Sequence, residues 1–476
     1  MAKPEFDICV IGGGAGGLAV AAGGAALGAK VALVERRALG GDCLYFGCIP
    51  SKTLLRSAKV AQTMREAARY GIGPGVPGIN ISDVLARVRE VIETLAPHDS
   101  PERFRAMGVE VVFGTGSFAD RRTFLVNGRG ITAKKFVLAT GSRPAVPALD
   151  GLDAIPYLTN ETVFTLAEAV PSLAVLGGGA IGVELSQAFS RLGTRVHLVN
   201  RGPQILPKED GDLAQVVVQR LVDEGVEFHL DCMPTRVEGE AGAVRLWLKE
   251  KDGSERPVET THLLVAAGRQ PNLEGLALEQ AGVVVEQGRI VADRRLRTSN
   301  PDVYVCGDVA GLHQFTHVAE HHAGVILRNA LFHLPARVEE RVIPWCTFTD
   351  PELARVGISE NEARAAGLVY RVYAFPFRDM DRAQTDGETA GFAKILTDPG
   401  GRLLGAAIVG AAAGELIHEY ALALAKKMKA ADLSRVLHVY PTLAQINRRV
   451  ADLRLKERLT PGRRWLIQRL FGLRGE

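Results

Sequence analysis

Residues 6–35 read F-D-I-C-V-I-G-G-G-A-G-G-L-A-V-A-A-G-G-A-A-L-G-A-K-V-A-L-V-E, and this stretch decides the fold. Residues 6–11 form a continuous apolar run of strand type. A G-x-G-x-x-G follows, with Gly12, Gly14 and Gly17 as its glycines. A helical pattern runs on to Gly28, and a second apolar run, residues 31–34, closes on Glu35. Strand, glycine turn, helix and strand in this order make a βαβ unit of the kind that holds a dinucleotide. Gly12 permits the tight turn, Gly14 lets backbone approach a pyrophosphate, and Gly17 lets the helix pack on the strand. Glu35 is placed to accept hydrogen bonds from a ribose. A lone G-x-G-x-x-G says little, but one between strand and helix with an acid ending the next strand is specific.

The unit occurs twice. Residues 173–176 form the strand, Gly177, Gly179 and Gly182 repeat the glycine pattern, and residues 195–199 lead to Asn200. From the first glycine to the residue ending the second strand is 23 positions in both copies. Two such folds in one chain imply two dinucleotides exchanging electrons. The remaining bounds agree. A chain of 476 residues is long enough for about three domains. Its composition is that of an ordinary globular protein, and a net charge of +3 gives no reason to expect a nucleic-acid partner. Six cysteines do not make a disulfide scaffold and suit a reducing cytosol. No signal peptide is visible. The one long uncharged apolar run, residues 12–29, belongs to the nucleotide fold, so no membrane span is expected and the expected location is cytoplasmic.

Residues 40–52 read G-G-D-C-L-Y-F-G-C-I-P-S-K. Cys43 and Cys48 sit just before an apolar helical pattern, with Lys52 one turn on. A helix start exposes unpaired N–H groups and a positive dipole end, which favours thiolate, and a nearby lysine adds to that field. Two thiols there can close into a reactive disulfide. Without their flanks they would read equally as two buried small residues or half a metal site. Cys9, Cys232 and Cys306 fall in strand-like stretches and read as packing.

This stretch resembles the redox-active site of the pyridine nucleotide-disulfide oxidoreductases, the family of dihydrolipoamide dehydrogenase, glutathione reductase and mercuric reductase. The resemblance runs from residue 5 to about 450. It implies an α/β protein with two Rossmann-like dinucleotide-binding domains, for FAD and NAD(P), plus a C-terminal α+β dimerisation domain. The expected divisions are 1–150 (FAD, first part), 151–271 (NAD(P)), 272–342 (FAD, second part), 343–459 (interface) and 460–476, a basic amphipathic tail. Strands 136–144 and 263–272 are the expected crossings between the FAD and NAD(P) domains. In the interface domain, residues 345–349, 371–375, 391–396 and 403–409 read as strands, and 414–428 and 431–437 as helices.

By the same resemblance Cys48 is the charge-transfer thiol beside the flavin and Cys43 the interchange thiol that meets substrate. Lys52 stabilises negative charge on the flavin, and Glu184, in G-A-I-G-V-E, pairs with that lysine. FAD contacts are expected from Gly12, Gly14, Gly17, Glu35, Gly41, Lys52, Gly116, Thr140, Gly141, Asp308 and Ala319. Nicotinamide-dinucleotide contacts are expected from Gly177, Gly179, Gly182, Asn200, Arg201 and Gly268. No resident metal is expected. Asn200 lacks the acid that binds an NAD ribose, and Arg201 could meet a 2′-phosphate, which leans to NADPH. Pro207, where NADPH users carry a second arginine, keeps NADH open.

The sequence also departs from the pattern. Asp42 replaces a threonine, and Tyr45-Phe46 replaces an Asn-Val-like pair. The family closes with His-Pro-Thr-x-x-Glu, contributed by the partner subunit of a homodimer, whose histidine is the base for the interchange thiol. Here the stretch is Tyr440-Pro441-Thr442-Leu443-Ala444-Gln445. Tyrosine, with a reference pKa of about 10 against about 6.5 for histidine, is a poor base at neutral pH. His438, two residues earlier, is a candidate substitute. Mercuric reductase also carries a tyrosine near this point but ends in a cysteine pair, and here the last cysteine is Cys346. The expected function is FAD-dependent NAD(P)H:disulfide oxidoreduction through Cys43–Cys48 with a small-molecule or protein substrate. Dihydrolipoamide oxidation, metal-ion reduction and a tail-anchored redox-sensing flavoprotein stand as alternatives.

The tail is set apart by charge. Residues 448–476 hold nine Arg/Lys against three Asp/Glu. Thr460, Pro461 and Gly472 read as cap, first residue and stop of a helix with Leu466, Leu470 and Leu473 along one side. Such a helix either packs on the interface domain or attaches to an anionic membrane or acidic partner.

Overall fold

A computed structural model of the protein describes residues 3–311 and 313–475. The chain divides into two compact units. The first holds Met1–Arg65, Val76–Arg201 and Phe228–Val338, and the second holds Glu66–Gly75, Gly202–Glu227 and Glu339–Glu476.

In the first unit the apolar run forms strand Phe6–Ile11, buried between Val31–Glu35 and Arg129–Leu138, both parallel to it. Glu110–Phe113 extends this sheet beyond Val31–Glu35, and Val303–Val305 pairs on the far side of Arg129–Leu138. A parallel sheet buried on both faces requires apolar strands, as the central Phe6–Ile11 and Val31–Glu35 largely are, while Arg129–Leu138 becomes continuously apolar only over its last three residues. Helix Ala15–Ala26 is glycine-rich because helix Thr316–Leu331 lies against it. A Cβ on Gly23 would fall 2.6 Å from Leu327 Cδ1, and one on Gly16 2.8 Å from Cys306 Sγ. The glycine content of residues 12–29 is thus a packing requirement, in keeping with the expectation that this run is no membrane span.

The second βαβ unit repeats the first closely. Strand Ser172–Leu176 lies between Arg195–Asn200 and His262–Val265, all parallel, with helix Ala180–Arg191 following the glycine turn. A Cβ on Gly17 would collide with Gly12 O at 1.8 Å, and one on Gly182 with Gly177 O at 1.9 Å. The expected crossings meet each other: Ser142–Pro144 pairs antiparallel with Arg269–Pro271.

The second unit is built on a five-stranded antiparallel sheet, in the order Pro344–Thr347, Glu352–Gly357, Leu403–Gly410, Phe392–Thr397, Arg371–Pro376. Helices Ala413–Ala425 and Gln445–Arg458 bury Ile417, Tyr420, Ile446 and Val450 with its Ile395 and Ile408 and with Phe377 of the turn that follows Arg371–Pro376. Strand Glu352–Gly357 was not anticipated, and the helix expected over 431–437 is only Ala430–Leu433. Asp210 and Asp212, distant in sequence, each lie 2.9 Å from the buried Lys394 ammonium. Helix Pro461–Phe471 forms, but none of its residues is buried, so it does not pack on the interface domain of its own chain. Among the described residues no helix is long and apolar enough to cross a membrane.

Candidate active site

Cys48 opens the long helix Cys48–Arg65, and Cys43 lies in the short helix Gly41–Tyr45 before it. Gly47 joins them because a Cβ there would press on Asp42 O at 3.0 Å. Both cysteines are free thiols, Cys48 exposed and Cys43 half-buried. Their environments push them apart. Cys48 is lowered to about 6, first because the Cys43 thiol donates to its sulfur, then through Lys52 and Thr316, with burial and Glu184 opposing. Cys43 is raised well above the thiol range by that same donation and by burial. The same contact thus favours negative charge on Cys48 and the proton on Cys43. Thr316, first residue of Thr316–Leu331, places its hydroxyl 3.7 Å from Cys48 Sγ. The family resemblance takes F-T-H-V-A-E, residues 315–320, as the start of a helix facing the flavin, but the contact of Thr316 with Cys48 itself was not read from the sequence.

Lys52 Nζ donates to Glu184 Oε2 at 2.9 Å, joining the expected pair across 132 positions of chain. Glu184 is only 4% exposed, so its charge is compensated by the lysine rather than by water. The pairing fixes the ammonium one helical turn from Cys48. Lys52→Met should raise the Cys48 midpoint by about one unit or more, since a close cation favours thiolate. A pH titration of the reduced protein reads this directly, and an unmoved midpoint removes the lysine from the argument.

A group of polar side chains surrounds Asp42. Arg269 reaches Asp42 Oδ2 at 3.2 Å, and Asn160 Nδ2 donates to Asp42 Oδ1 at 3.2 Å and to Phe46 O at 3.1 Å. Arg269 Nε also donates to Ser142 Oγ at 2.7 Å, and Ser142 donates to Asp308 Oδ2 at 2.5 Å. Burial pushes Asp308 up, against Ser142 and the Arg269 charge. Behind it, burial lowers His322 to about 4, and its Nδ1 accepts from Gly307 N at 3.2 Å. The motif G-R-Q-P-N was legible as a crossing strand, but the part Arg269 plays beside Asp42 was not.

The two glycine turns fit dinucleotides. Helices Ala15–Ala26 and Ala180–Arg191 start at Gly14 and Gly179 with no side chain capping either. Their first amides are left for an anion such as a pyrophosphate. A Cβ on Gly179 would meet nothing within 4 Å, and on Gly14 only Gly41 Cα at 3.8 Å. Gly41 is itself required, since its Cβ would lie 2.6 Å from Gly14 Cα. Glu35 is held ready by Gly13 N and Arg37 N, each donating to its carboxylate at 2.7 Å. Asn200 makes the matching bond, accepting from Gly178 N at 3.2 Å. Thr140 Oγ1 donates to Asn272 O at 2.8 Å, and Gly141 and Gly268 adopt positive φ at the two crossings. Arg201 is exposed beyond Asn200, and Ala319 is buried near Gly307. Gly116 has a packing reason of its own, as a Cβ would strike the Phe124 ring at 2.4 Å.

In the second unit Tyr440 is exposed, and its hydroxyl donates to Asp381 Oδ2 at 3.0 Å. That bond raises its pKa from the tyrosine value. His438, the candidate substitute for the base, is held by its surroundings. Its Nδ1 faces Val436 O at 3.2 Å and its Nε2 faces Glu419 Oε2 at 3.1 Å, and Asn447 also donates to that carboxylate at 2.8 Å. Both ring nitrogens are engaged.

Two dinucleotide folds with a dithiol at a helix start define a flavin-linked disulfide oxidoreductase. The family model for pyridine nucleotide-disulphide oxidoreductases matches residues 6–323, and that of the family's dimerisation domain matches 343–450. The chain belongs to this family: it is an FAD-dependent oxidoreductase that uses NAD(P)H, and its dimerisation domain supports a homodimer. It is 32% identical over 443 residues to mercuric reductase of Bacillus cereus, covering 93% of this chain and 70% of that protein. It is 35% identical over 455 residues to mitochondrial dihydrolipoyl dehydrogenase of Schizosaccharomyces pombe, covering 93% and 88%. The Cu(II) complex of the HOCl-induced flavoprotein disulfide reductase RclA from Escherichia coli superposes with a TM-score of 0.84 at 26% identity, covering 95% of this chain and all of that one.

Proposed function

We propose that the protein carries electrons from NAD(P)H, with NADPH preferred, through a Cys43–Cys48 disulfide to a thiol-reactive acceptor. The observation that supports this most is the placement of Cys48 as first residue of its helix, with the Thr316 hydroxyl 3.7 Å away and the Lys52–Glu184 pair one turn on, next to Cys43 in the preceding helix. Bound FAD supplies the two-electron relay between nicotinamide and sulfur. A hydride equivalent brings two electrons and one proton, which opens the S–S bond to one thiol and one thiolate. Cys48, held by the helix start, Lys52 and Thr316, keeps the negative charge. Cys43 keeps the proton until the acceptor arrives. With a disulfide acceptor, Cys43 attacks one sulfur, the acceptor S–S bond breaks, and the Cys43 proton leaves on the first released sulfur as a thiol. Cys48 then attacks Cys43, re-forms the pair and releases the second.

The test is a thiol count on the denatured protein. Four thiols before and six after anaerobic reduction by NADPH are expected from six cysteines. Six in both states would refute a redox disulfide. The absorbance of the thiolate beside the flavin should fade as pH drops through about 6, since protonating Cys48 removes its charge. A band that persists well below this pH would place the charge on another group.

A second reading is metal-ion reduction, two electrons reducing one Hg(II) ion or two Cu(II) ions to Cu(I). Tyr440 favours it, because thiolates binding a metal ion need no strong base from the partner subunit. It also agrees with relatives described as mercuric reductases and as a Cu(II) complex. Anaerobic turnover with Cu(II) against a disulfide such as lipoamide separates the readings.

A further inference from the structure

The dimerisation-domain match ends at residue 450, and the last anchored element is helix Gln445–Arg458, which buries Val450, Ala451 and Arg454. Beyond it the chain turns at Leu459 and forms one more helix. Thr460 Oγ1 accepts from Arg463 N at 3.4 Å, Pro461 is the first helical residue, and Gly472 closes the helix in the left-handed conformation. The helix is thus specified locally, yet none of its side chains is buried. Trp465, Leu466, Ile467, Leu470, Phe471 and Leu473 are 38–73% exposed, where apolar residues of this size normally find cover.

The apolar residues gather on one side of the helix, with Arg463 in the same sector at its N-terminal end. At about 100° per residue, Leu466 and Leu470 share a stripe, with Ile467 and Phe471 beside it, and Leu473 follows just beyond the left-handed Gly472. Arg464 and Gln468 border it on one side, and Trp465 and Arg469 on the other, with the Arg469 guanidinium 5.2 Å from the Trp465 ring centroid. Arg463, at the N-terminal end, is turned back and donates to Arg458 O at 3.1 Å. Between Arg458 and Arg474 the sequence has five arginines and no acid.

We propose that helix Pro461–Phe471 is an in-plane anchor for an anionic lipid surface. Leu466, Ile467, Leu470 and Phe471, with Leu473 just past the helix end, enter the acyl boundary, while the arginines meet lipid phosphates at its margin. Eleven residues span about 16 Å, roughly half the hydrocarbon core, so the helix lies along the surface and does not cross it. Charge decides between a bilayer and a second copy of the same helix. About a two-fold axis this helix would meet itself, arginines facing arginines with no carboxylate between them. An anionic bilayer neutralises all five and needs no matching groove.

The test uses the purified FAD-loaded dimer, sedimented with vesicles of phosphatidylcholine alone or mixed with phosphatidylglycerol. The full chain should sediment with the anionic vesicles and remain in solution with the neutral ones. A chain ending at Leu459 should lose this binding and keep its reductase turnover and dimer mass. Leu470→Glu should abolish binding with the arginines intact, and Arg464→Gln and Arg469→Gln should each weaken it about fivefold. Equal sedimentation of the full and shortened chains overturns the proposal. So does a shortened chain that becomes monomeric, which would give the helix to the dimer interface. Retention on an immobilised acidic polypeptide without vesicle binding would also overturn it, in favour of a protein partner.

Discussion

Replacing Cys48 by serine is expected to abolish the long-wavelength absorbance that appears on two-electron reduction, and to cut acceptor turnover at least about a thousandfold. Cys48 is first in helix Cys48–Arg65, where unpaired amides and the dipole favour negative charge. The Cys43 thiol, Lys52 and Thr316 all act on its sulfur in the same sense. A serine hydroxyl there has no accessible anionic form near neutral pH, so the charge beside the flavin is lost. Cys43→Ser separates the roles. The serine can still donate to Cys48, so the absorbance should survive, while turnover falls as far because no disulfide can form. Cys48 is exposed and Cys43 half-buried, and serine is close in size, so neither change opens a core cavity. A Cys48→Ser protein that keeps the absorbance would reverse the assignment.

The residues that could be read from the sequence are those whose constraint is local. Gly12 and Gly177 must adopt positive φ, and a Cβ on either would strike at 2.3 Å the carbonyl of the residue just past a neighbouring strand, Ala139 or Ala266, so their positions fix both βαβ units. Cys48 and Lys52 lie one turn apart on one helix. The pairing of Lys52 with Glu184 was reached only through a motif, because 132 positions separate them. Asp42 could be seen to depart from the family pattern, but Arg269 and Asn160, its partners, come from distant parts of the chain. Helix Gly211–Asp223 was hidden for the same reason: sequence proximity joins it to the second βαβ unit, while Asp210 and Asp212 meet Lys394 in the other compact unit. The tail helix was legible from Thr460, Pro461 and Gly472, but its exposure was not, since caps specify a helix and say nothing of what covers it.

Restoring the family residues, Tyr440→His with Gln445→Glu, should speed dihydrolipoamide oxidation about a hundredfold near neutral pH, the usual gain from a positioned base. Oxidising a dithiol through Cys43–Cys48 requires the substrate thiol to lose its proton as it attacks. In this chain the family's base position carries a phenol whose proton is donated to Asp381 at 3.0 Å. Deprotonating Tyr440 would set two negative charges side by side, which is why its pKa rises. His438 does not relieve this, because its two nitrogens already face Val436 O and Glu419. A histidine at 440 brings a reference pKa of about 6.5. A glutamate at 445 would open helix Gln445–Arg458, an end that favours acids, and could orient the imidazole. The gain should grow from pH 6 to about 8 as the imidazole loses its proton, and Tyr440→His alone should recover only part of it. Reduction of a metal ion, where thiolates bind the acceptor directly, should not gain from the exchange. A double variant no faster than the natural protein with dihydrolipoamide would mean that the missing base is not what limits this reaction. Equal acceleration with metal ions would mean that the histidine acts on Cys43 itself rather than on the incoming thiol.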